Sequence, residues 1–224
     1  MKILIVLFGV LAGLVLVSLL WRWASRLKSL PCPTLLAWFL ESPIAQRLNG
    51  TAVTLERIGL RPGQSVLEFG PGPGRLLIPA AARVLPGGKV CGIELQAGMI
   101  ERLRRNAHRK GVANMTVVRG DATLPVVDEA TFDIVLLSCV LGEIPDRHAV
   151  LRQAFRALRP AGRLSVSEMF GDPHYQSRST LKQLAHDAGF ELEAIHGRWY
   201  MFTANFRKPA DASTSAASQA KGQQ

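Results

Sequence analysis

A chain of 224 residues, 48% of them hydrophobic, is long enough to bury one sizeable α/β domain with short additions and needs no disulfide staples. Its three cysteines, Cys32, Cys91 and Cys139, form no Cys-x-x-Cys pair and no mixed Cys/His cluster, which argues against a zinc site or a disulfide framework. The formal net charge is +10, but the basic residues are spread out and no helix-turn-helix, zinc-finger or ribonucleoprotein motif accompanies them, so no specific nucleic-acid partner is expected.

Residues 3–20 are uninterruptedly apolar and uncharged, enough with Trp21 and Trp23 to cross a bilayer as a helix. The two tryptophans suit the headgroup boundary, and Arg22, Arg26 and Lys28 follow at once. A cleaved signal peptide would have a shorter apolar run and a small-x-small cleavage site. Residues 1–28 are therefore expected to be a single transmembrane anchor, with the excess of positive charge placing the main domain in the cytoplasm. Residues 29–60 read as a linker and cap helices. Pro31-Cys32-Pro33 breaks the first helix, Trp38 and Phe39 lie in an apolar patch suited to a membrane surface or to covering a site, and Ser42-Pro43 can open the next helix.

From residue 65 a strand, turn, helix pattern repeats. Strands are predicted at 65–69, 89–93, 115–119, 132–138 and 163–168, and helices at 75–84, 98–110, 147–158 and 180–188. Such alternation predicts a parallel sheet with helices on both faces. Two last strands, 191–195 and 199–206, are separated by His196-Gly197-Arg198, a hairpin pattern. Residues 209–224, rich in Ala, Ser and Gln, read as a disordered tail.

In an open parallel sheet, ligands bind beyond the carboxyl ends of the strands. The first strand ends in Glu68-Phe69-Gly70-Pro71-Gly72-Pro73-Gly74, where glycines let the backbone turn tightly and approach a ligand. Such a turn can also exist without a ligand. Arg75 stands where a dinucleotide fingerprint has its third glycine, which counts against NAD. Glu94 ends the second strand, about twenty residues on, at the spacing of a carboxylate that accepts ribose hydroxyls. The plain alternative for Glu94 is an exposed acid at a helix start. Leu95 and Met99 follow it at the same mouth. Gly120-Asp121-Ala122 ends the third strand; its carboxylate suits an adenine amino group, or else an Asx turn. Ser138, at the end of the fourth strand, begins the floor of the site.

The series Val66-Leu67-Glu68-Phe69-Gly70-Pro71-Gly72-Pro73-Gly74, Gly92-Ile93-Glu94, Gly120-Asp121-Ala122, Phe132-Asp133-Ile134-Val135-Leu136 and Leu158-Arg159-Pro160-Ala161-Gly162 resembles class I S-adenosylmethionine-dependent methyltransferases, closest to the type 11 and ubiquinone/menaquinone-methyltransferase-like group. The resemblance covers roughly residues 40–208. It implies an α/β, Rossmann-like, doubly wound seven-stranded sheet with the last strand antiparallel, a methyltransferase domain over 61–208 and S-adenosyl-L-methionine as cofactor. It places Glu68 near the methionine end, Gly70 and Gly72 under the cofactor, Glu94 at the ribose, and Asp121 and Ala122 at adenine. Similar sequences often read Leu-His-Glu-Ile-Pro-Asp after the fourth strand; here Gly142 replaces the histidine in Leu141-Gly142-Glu143-Ile144-Pro145-Asp146.

Methyl transfer needs a base only when the nucleophile must lose a proton. The candidates are Glu143, Asp146, His174 and Tyr175, with Glu168 beside them; for Asp146 helix capping competes, and for His174 and Tyr175 lid packing. An anchored enzyme meets lipid-dissolved acceptors at high effective concentration, so the expected substrate is a small hydrophobic or lipid-like molecule. The scatter of the cysteines argues against arsenite. A catalytically weak, cofactor-binding membrane scaffold is the second expectation, carried by Gly142.

Overall fold

The computed structural model describes residues 50–210 and the isolated helical positions Gly9, Gly13 and Leu16. Among the described residues, no helix is long and apolar enough to cross a membrane. The expected span over residues 3–20 lies outside the described residues apart from those three positions; so do residues 21–49, with Trp38 and Phe39, and the tail beyond 210.

The described chain runs α1 (Thr51–Ile58), β1 (Ser65–Phe69), α2 (Leu77–Arg83), β2 (Lys89–Glu94), α3 (Ala97–Arg109), β3 (Met115–Arg119), β4 (Phe132–Ser138), α4 (Arg147–Ala157), β5 (Leu158–Met169), α5 (Arg178–Asp187), β6 (Glu191–Arg198) and β7 (Met201–Arg207). The seven strands form one sheet in the order β3-β2-β1-β4-β5-β7-β6. The pairs among β1 to β5 are parallel, and β7 runs antiparallel to both of its neighbours. The expected architecture, including the reversed last strand, is therefore present.

Alternation along each strand divides the core between the two faces of the sheet. Val66, Ile134 and Leu136 pack with Leu55 and Ile58 of α1, Leu77 of α2 and Leu103 of α3. Leu67, Phe69, Val135 and Leu137 point the other way, onto Val150, Leu151 and Ala154 of α4 and Leu181 of α5. β4 is thus apolar on both sides, and full burial of a side chain such as Leu136 contributes about 1.5–3 kcal/mol.

Polar pairs hold the antiparallel edge in register. Ser165 Oγ lies 2.7 Å from Asn205 Oδ1, and the Ser167 and Thr203 hydroxyls are 3.0 Å apart; both pairs are cross-strand neighbours in β5 and β7. Asn205 Nδ2 also donates to the carbonyl of Arg57, which ties α1 to the sheet. Lys208 Nζ donates to the carbonyls of Phe155 and Leu158 at the end of α4, each at 2.7 Å. A cation there satisfies helix-end carbonyls that have no partner within the helix.

Two boundaries differ from expectation. Residues 159–162 lie within the span of the fifth strand rather than before it. They belong to β5, which already pairs at Leu158 with Phe132 and then shifts register, with Ala161 at φ 61°. The bulge absorbs the extra residues without breaking the ladder. In the last hairpin the turn is Trp199-Tyr200, because Arg198 pairs with Met201; His196, Gly197 and Arg198 are strand residues.

Candidate cofactor and acceptor site

The strand order reverses between β1 and β4, and a cavity of about 550 Å³ opens there over the carboxyl ends of the parallel strands. The turn after β1 forms its near wall. Gly70, Gly72 and Gly74 have φ of 65°, 54° and 93°, the left-handed region in which a side chain is strained. Their surroundings differ. A Cβ on Gly70 would meet Val140 at 2.5 Å and one on Gly74 would meet Leu103 at 2.4 Å, whereas one on Gly72 would meet nothing within 4 Å. Gly70 and Gly74 therefore serve packing, and Gly72 leaves its backbone bare. Asn106 Nδ2 on α3 holds the turn by donating to the Pro73 carbonyl at 2.9 Å.

Glu94, at the end of β2, is 6% exposed and accepts two backbone hydrogen bonds: Gly72 N–H donates to Oε2 at 3.1 Å and Gln96 N–H to Oε1 at 3.0 Å. The carboxylate is thereby fixed at the rim, with lone pairs remaining for ligand hydroxyls. Asp121 makes the Asx turn, its Oδ1 accepting from Thr123 N–H and Oγ1, and it also lines the cavity.

Eleven of the predicted cofactor residues meet in this cavity: Glu68, Gly70, Pro71, Gly72, Glu94, Leu95, Met99, Gly120, Asp121, Ala122 and Ser138. Phe69 and Gly74 do not. Phe69 alternates to the opposite face of β1 and is buried in the core, and Gly74 lies under α3. On the acceptor side, Glu143 and Asp146 line the cavity, but His174 and Tyr175 do not. His174 is buried in the loop after β5, and the Tyr175 hydroxyl donates to the Trp199 carbonyl. Asp146 is also the cap of α4, accepting from Ala149 N–H at 2.8 Å.

Arg75 was legible only as a missing glycine, yet it is a cavity residue. Its guanidinium donates to Ser138 Oγ at 2.6 Å and to Thr51 Oγ1 at 3.4 Å, spanning from the floor to α1. A long cation in the first turn after a glycine loop was the available signal. Cys139 also lines the cavity, and burial with the nearby Glu168 and Asp172 pushes its thiol above the usual range, which disfavours the nucleophilic thiolate. Cys91 is buried, and its thiol is likewise pushed up by burial.

Glu68 has an unusual environment. Burial pushes its carboxyl up to about 8, Arg75 acting against the shift and Glu94 adding to it, and its Oε2 has no hydrogen-bond partner. A buried acid with an orphaned oxygen is suited to a cationic group. S-Adenosylmethionine carries such groups at its sulfonium and amino ends. Together with the bare backbone at Gly72 and the carboxylate at Glu94, the residues fit this cofactor.

Comparison with known proteins agrees with the geometry. The family model described as "Methyltransferase domain" matches residues 60–214, and the chain belongs to that family of S-adenosylmethionine-dependent methyltransferases. Nocamycin O-methyltransferase of Saccharothrix syringae is 36% identical over 125 residues, 56% of this chain and 42% of that protein. An arsenite methyltransferase of Halobacterium salinarum is 33% identical over 49% of this chain and 28% of its own length. A ubiquinone/menaquinone biosynthesis C-methyltransferase of Pectobacterium carotovorum is 34% identical over 57% of this chain and 51% of its own. The chain thus spans about half or less of the length of the curated relatives it matches. The solved structure of a SAM-dependent methyltransferase from Aquifex aeolicus superposes with a TM-score of 0.74 at 19% identity, covering 80% of this chain and 100% of that one, which establishes the shared fold.

Proposed function

We propose that this protein is a membrane-anchored, single-span enzyme, its catalytic domain in the cytoplasm, that transfers the methyl group of S-adenosylmethionine to a small, hydrophobic or lipid-like acceptor. The observation that carries the reading is the composition of the cavity: beyond the glycine turn and Glu94, its acceptor side carries Val140, Ile144, Pro145 and Met169 around the carboxylates of Glu143 and Asp146. An apolar wall favours an apolar acceptor and keeps water from the reacting centre. The run at residues 3–20, followed by tryptophans and cations, supports the anchor.

When bound, the cofactor supplies a methyl group on a positively charged sulfur. Glu68, Gly72, Glu94, Asp121 and Ala122 would hold it, and Arg75 braces the floor through Ser138. The apolar wall orients the acceptor in line, which is the main contribution this fold makes to rate. Glu143 stands at the acceptor side to take a proton where the nucleophile has one to lose. The arsenite chemistry named for two relatives calls for convergent thiols; among the described residues only Cys139 lines the cavity, and Cys91 is buried elsewhere, so we do not infer arsenite as the acceptor.

The test is incubation of the full-length protein with isotopically labelled S-adenosylmethionine and a total lipid extract, followed by mass analysis. A labelled lipid-soluble product is expected. Label transferred only to water-soluble acceptors would overturn the hydrophobic-acceptor reading, and cofactor binding by calorimetry without transfer to any extract would favour the scaffold.

A further inference from the structure

Trp199 and Tyr200, in the turn between β6 and β7, form a partly exposed aromatic cluster with Phe170, which follows β5. Trp199 is 60% exposed, Phe170 46% and Tyr200 45%. The rings meet edge to face, Phe170 with Trp199 at 5.1 Å and Trp199 with Tyr200 at 5.6 Å. The cluster is held by the backbone as well. Phe170 N–H donates to the Tyr200 carbonyl at 2.7 Å, and the Tyr175 hydroxyl donates to the Trp199 carbonyl. It is thus a fixed apolar prominence rather than a set of independent side chains.

Its position in the fold matters more. β5 ends at Met169, which pairs with Met201, so the cluster stands at the carboxyl pole of the sheet where the cavity opens. Met169 and Asp172, on either side of Phe170, line the cavity. The chain also enters the described domain here: a Cβ on Gly50 would lie 3.5 Å from Met201 Cε, and Val53, one turn on, is 43% exposed. Gly50, the first residue of the continuous described chain, thus lies beside the aromatic tip.

Cations surround the tip. Arg198 precedes Trp199 and is exposed. Arg178 donates to the Gly197 carbonyl at 2.7 Å, and the Arg57 guanidinium lies 2.8 Å from where a Cβ on Gly197 would be. Residues 194–207 contain no acidic side chain. Aromatic rings with polar edges next to arginines match the chemistry of a bilayer interface, where the rings sit at headgroup level and the cations meet lipid phosphates.

We propose that Trp199 and Tyr200 seat in the headgroup region of an anionic bilayer, with Arg57, Arg178 and Arg198 toward its phosphates, so that the cavity mouth faces the membrane. The inference rests on the anchored reading above and adds an orientation to it. An acceptor then passes from the lipid into the apolar side of the cavity without crossing bulk water.

The experiment uses full-length protein with Cys32 and Cys139 replaced by serine, bound to vesicles of phosphatidylcholine and phosphatidylglycerol. A nitroxide is attached at Trp199→Cys, Tyr200→Cys or, as a control at the far pole, Lys110→Cys. Labels at 199 and 200 are expected to be several-fold more accessible to oxygen, relative to a water-soluble nickel chelate, than the label at 110. Equal water access at all three positions on protein that resists alkaline carbonate would overturn the orientation and leave the anchor standing. Release by carbonate would remove the anchor; the labels on protein floating with vesicles at neutral pH then decide the orientation, and failure to float at all would overturn it too.

Discussion

Gly142 lies against the backbone of His174 so closely that a Cβ on Gly142 would stand 1.9 Å from the His174 carbonyl oxygen. The same atom would lie 2.7 Å from Gln176 Nε2, which itself donates to that carbonyl at 2.7 Å. The loop after β4 and the loop after β5 therefore close over one another at a point with no room for a side chain. Glycine at this position has a packing cause, independent of any loss of chemistry.

Gly142→Ala is accordingly expected to destabilise the domain by about 1–3 kcal/mol, the usual cost of overpacking a filled site. Because backbone rather than a flexible side chain is in the way, the loops must part. The expected outcome is a lower denaturation midpoint in urea together with weaker cofactor binding. A variant as stable as the parent would show that the two loops are not in contact.

Glu94→Ala removes the acceptor of two backbone N–H groups as well as the carboxylate proposed to meet the ribose. Hydrogen bonds to charged groups contribute about 1.5–3 kcal/mol each, so affinity for S-adenosylmethionine is expected to fall by at least about tenfold. Titration calorimetry reads this directly, and unchanged affinity would take Glu94 out of the ribose role.

Glu68 sits near 8 because burial disfavours its charged form. At pH 7 it is mostly protonated, and a cationic ligand beside it favours ionisation. Binding of S-adenosylmethionine at pH 7 is therefore expected to release a fraction of a proton, seen as a dependence of the calorimetric enthalpy on buffer ionisation. Glu68→Gln should abolish that fraction. The same release in the variant would assign the proton elsewhere.

Glu168 is also held up at about 8, chiefly by burial, with the Gln176 N–H opposing the shift and Asp172 and Glu143 contributing. Its Oε1 has no hydrogen-bond partner. A carboxyl raised above its unfolded value binds more protons in the folded state, so its contribution is full below about 4.5 and is lost as pH rises through about 8. Thermal melts of the ligand-free protein should therefore fall by several degrees between pH 6 and 9. Glu168→Gln should lessen that fall, leaving the share that Glu68 contributes. Equal falls in the two proteins would mean that Glu168 titrates low.

Sheet and turn were readable because both depend on local pattern. Alternation of Val66 and Leu67 between faces, an apolar β4 and the glycine turn at the end of β1 are properties of adjacent residues. The positions of Glu94 and Asp121 followed from strand ends, since parallel strands deliver their last residues to one pole. What escaped depends on contacts across long separations. For His174 and Tyr175 the sequence leaves catalysis and lid packing both open, and the loop after β5 keeps both out of the cavity lining, with the Tyr175 hydroxyl donating to the Trp199 carbonyl. Arg75 reaches Ser138 across 63 positions, and the hairpin turn moved to Trp199-Tyr200 because pairing with β7 runs on to Arg198. The anchor over residues 3–20 rests on the length and lack of charge of the run and on the tryptophans and cations after it, and its test lies in the membrane experiments above.

The reversal of β7 also decides which way the chain leaves. Arg207 pairs with Arg163, and Lys208 N–H donates to the Gly162 carbonyl at 2.8 Å, both at the pole opposite the cavity, whereas Gly50 enters beside Met201 at the cavity pole. The two ends of the domain are thus unequal as handles. A fusion partner or surface tether attached after β7 leaves the mouth open to added acceptor, while one attached before α1 turns the mouth toward its support.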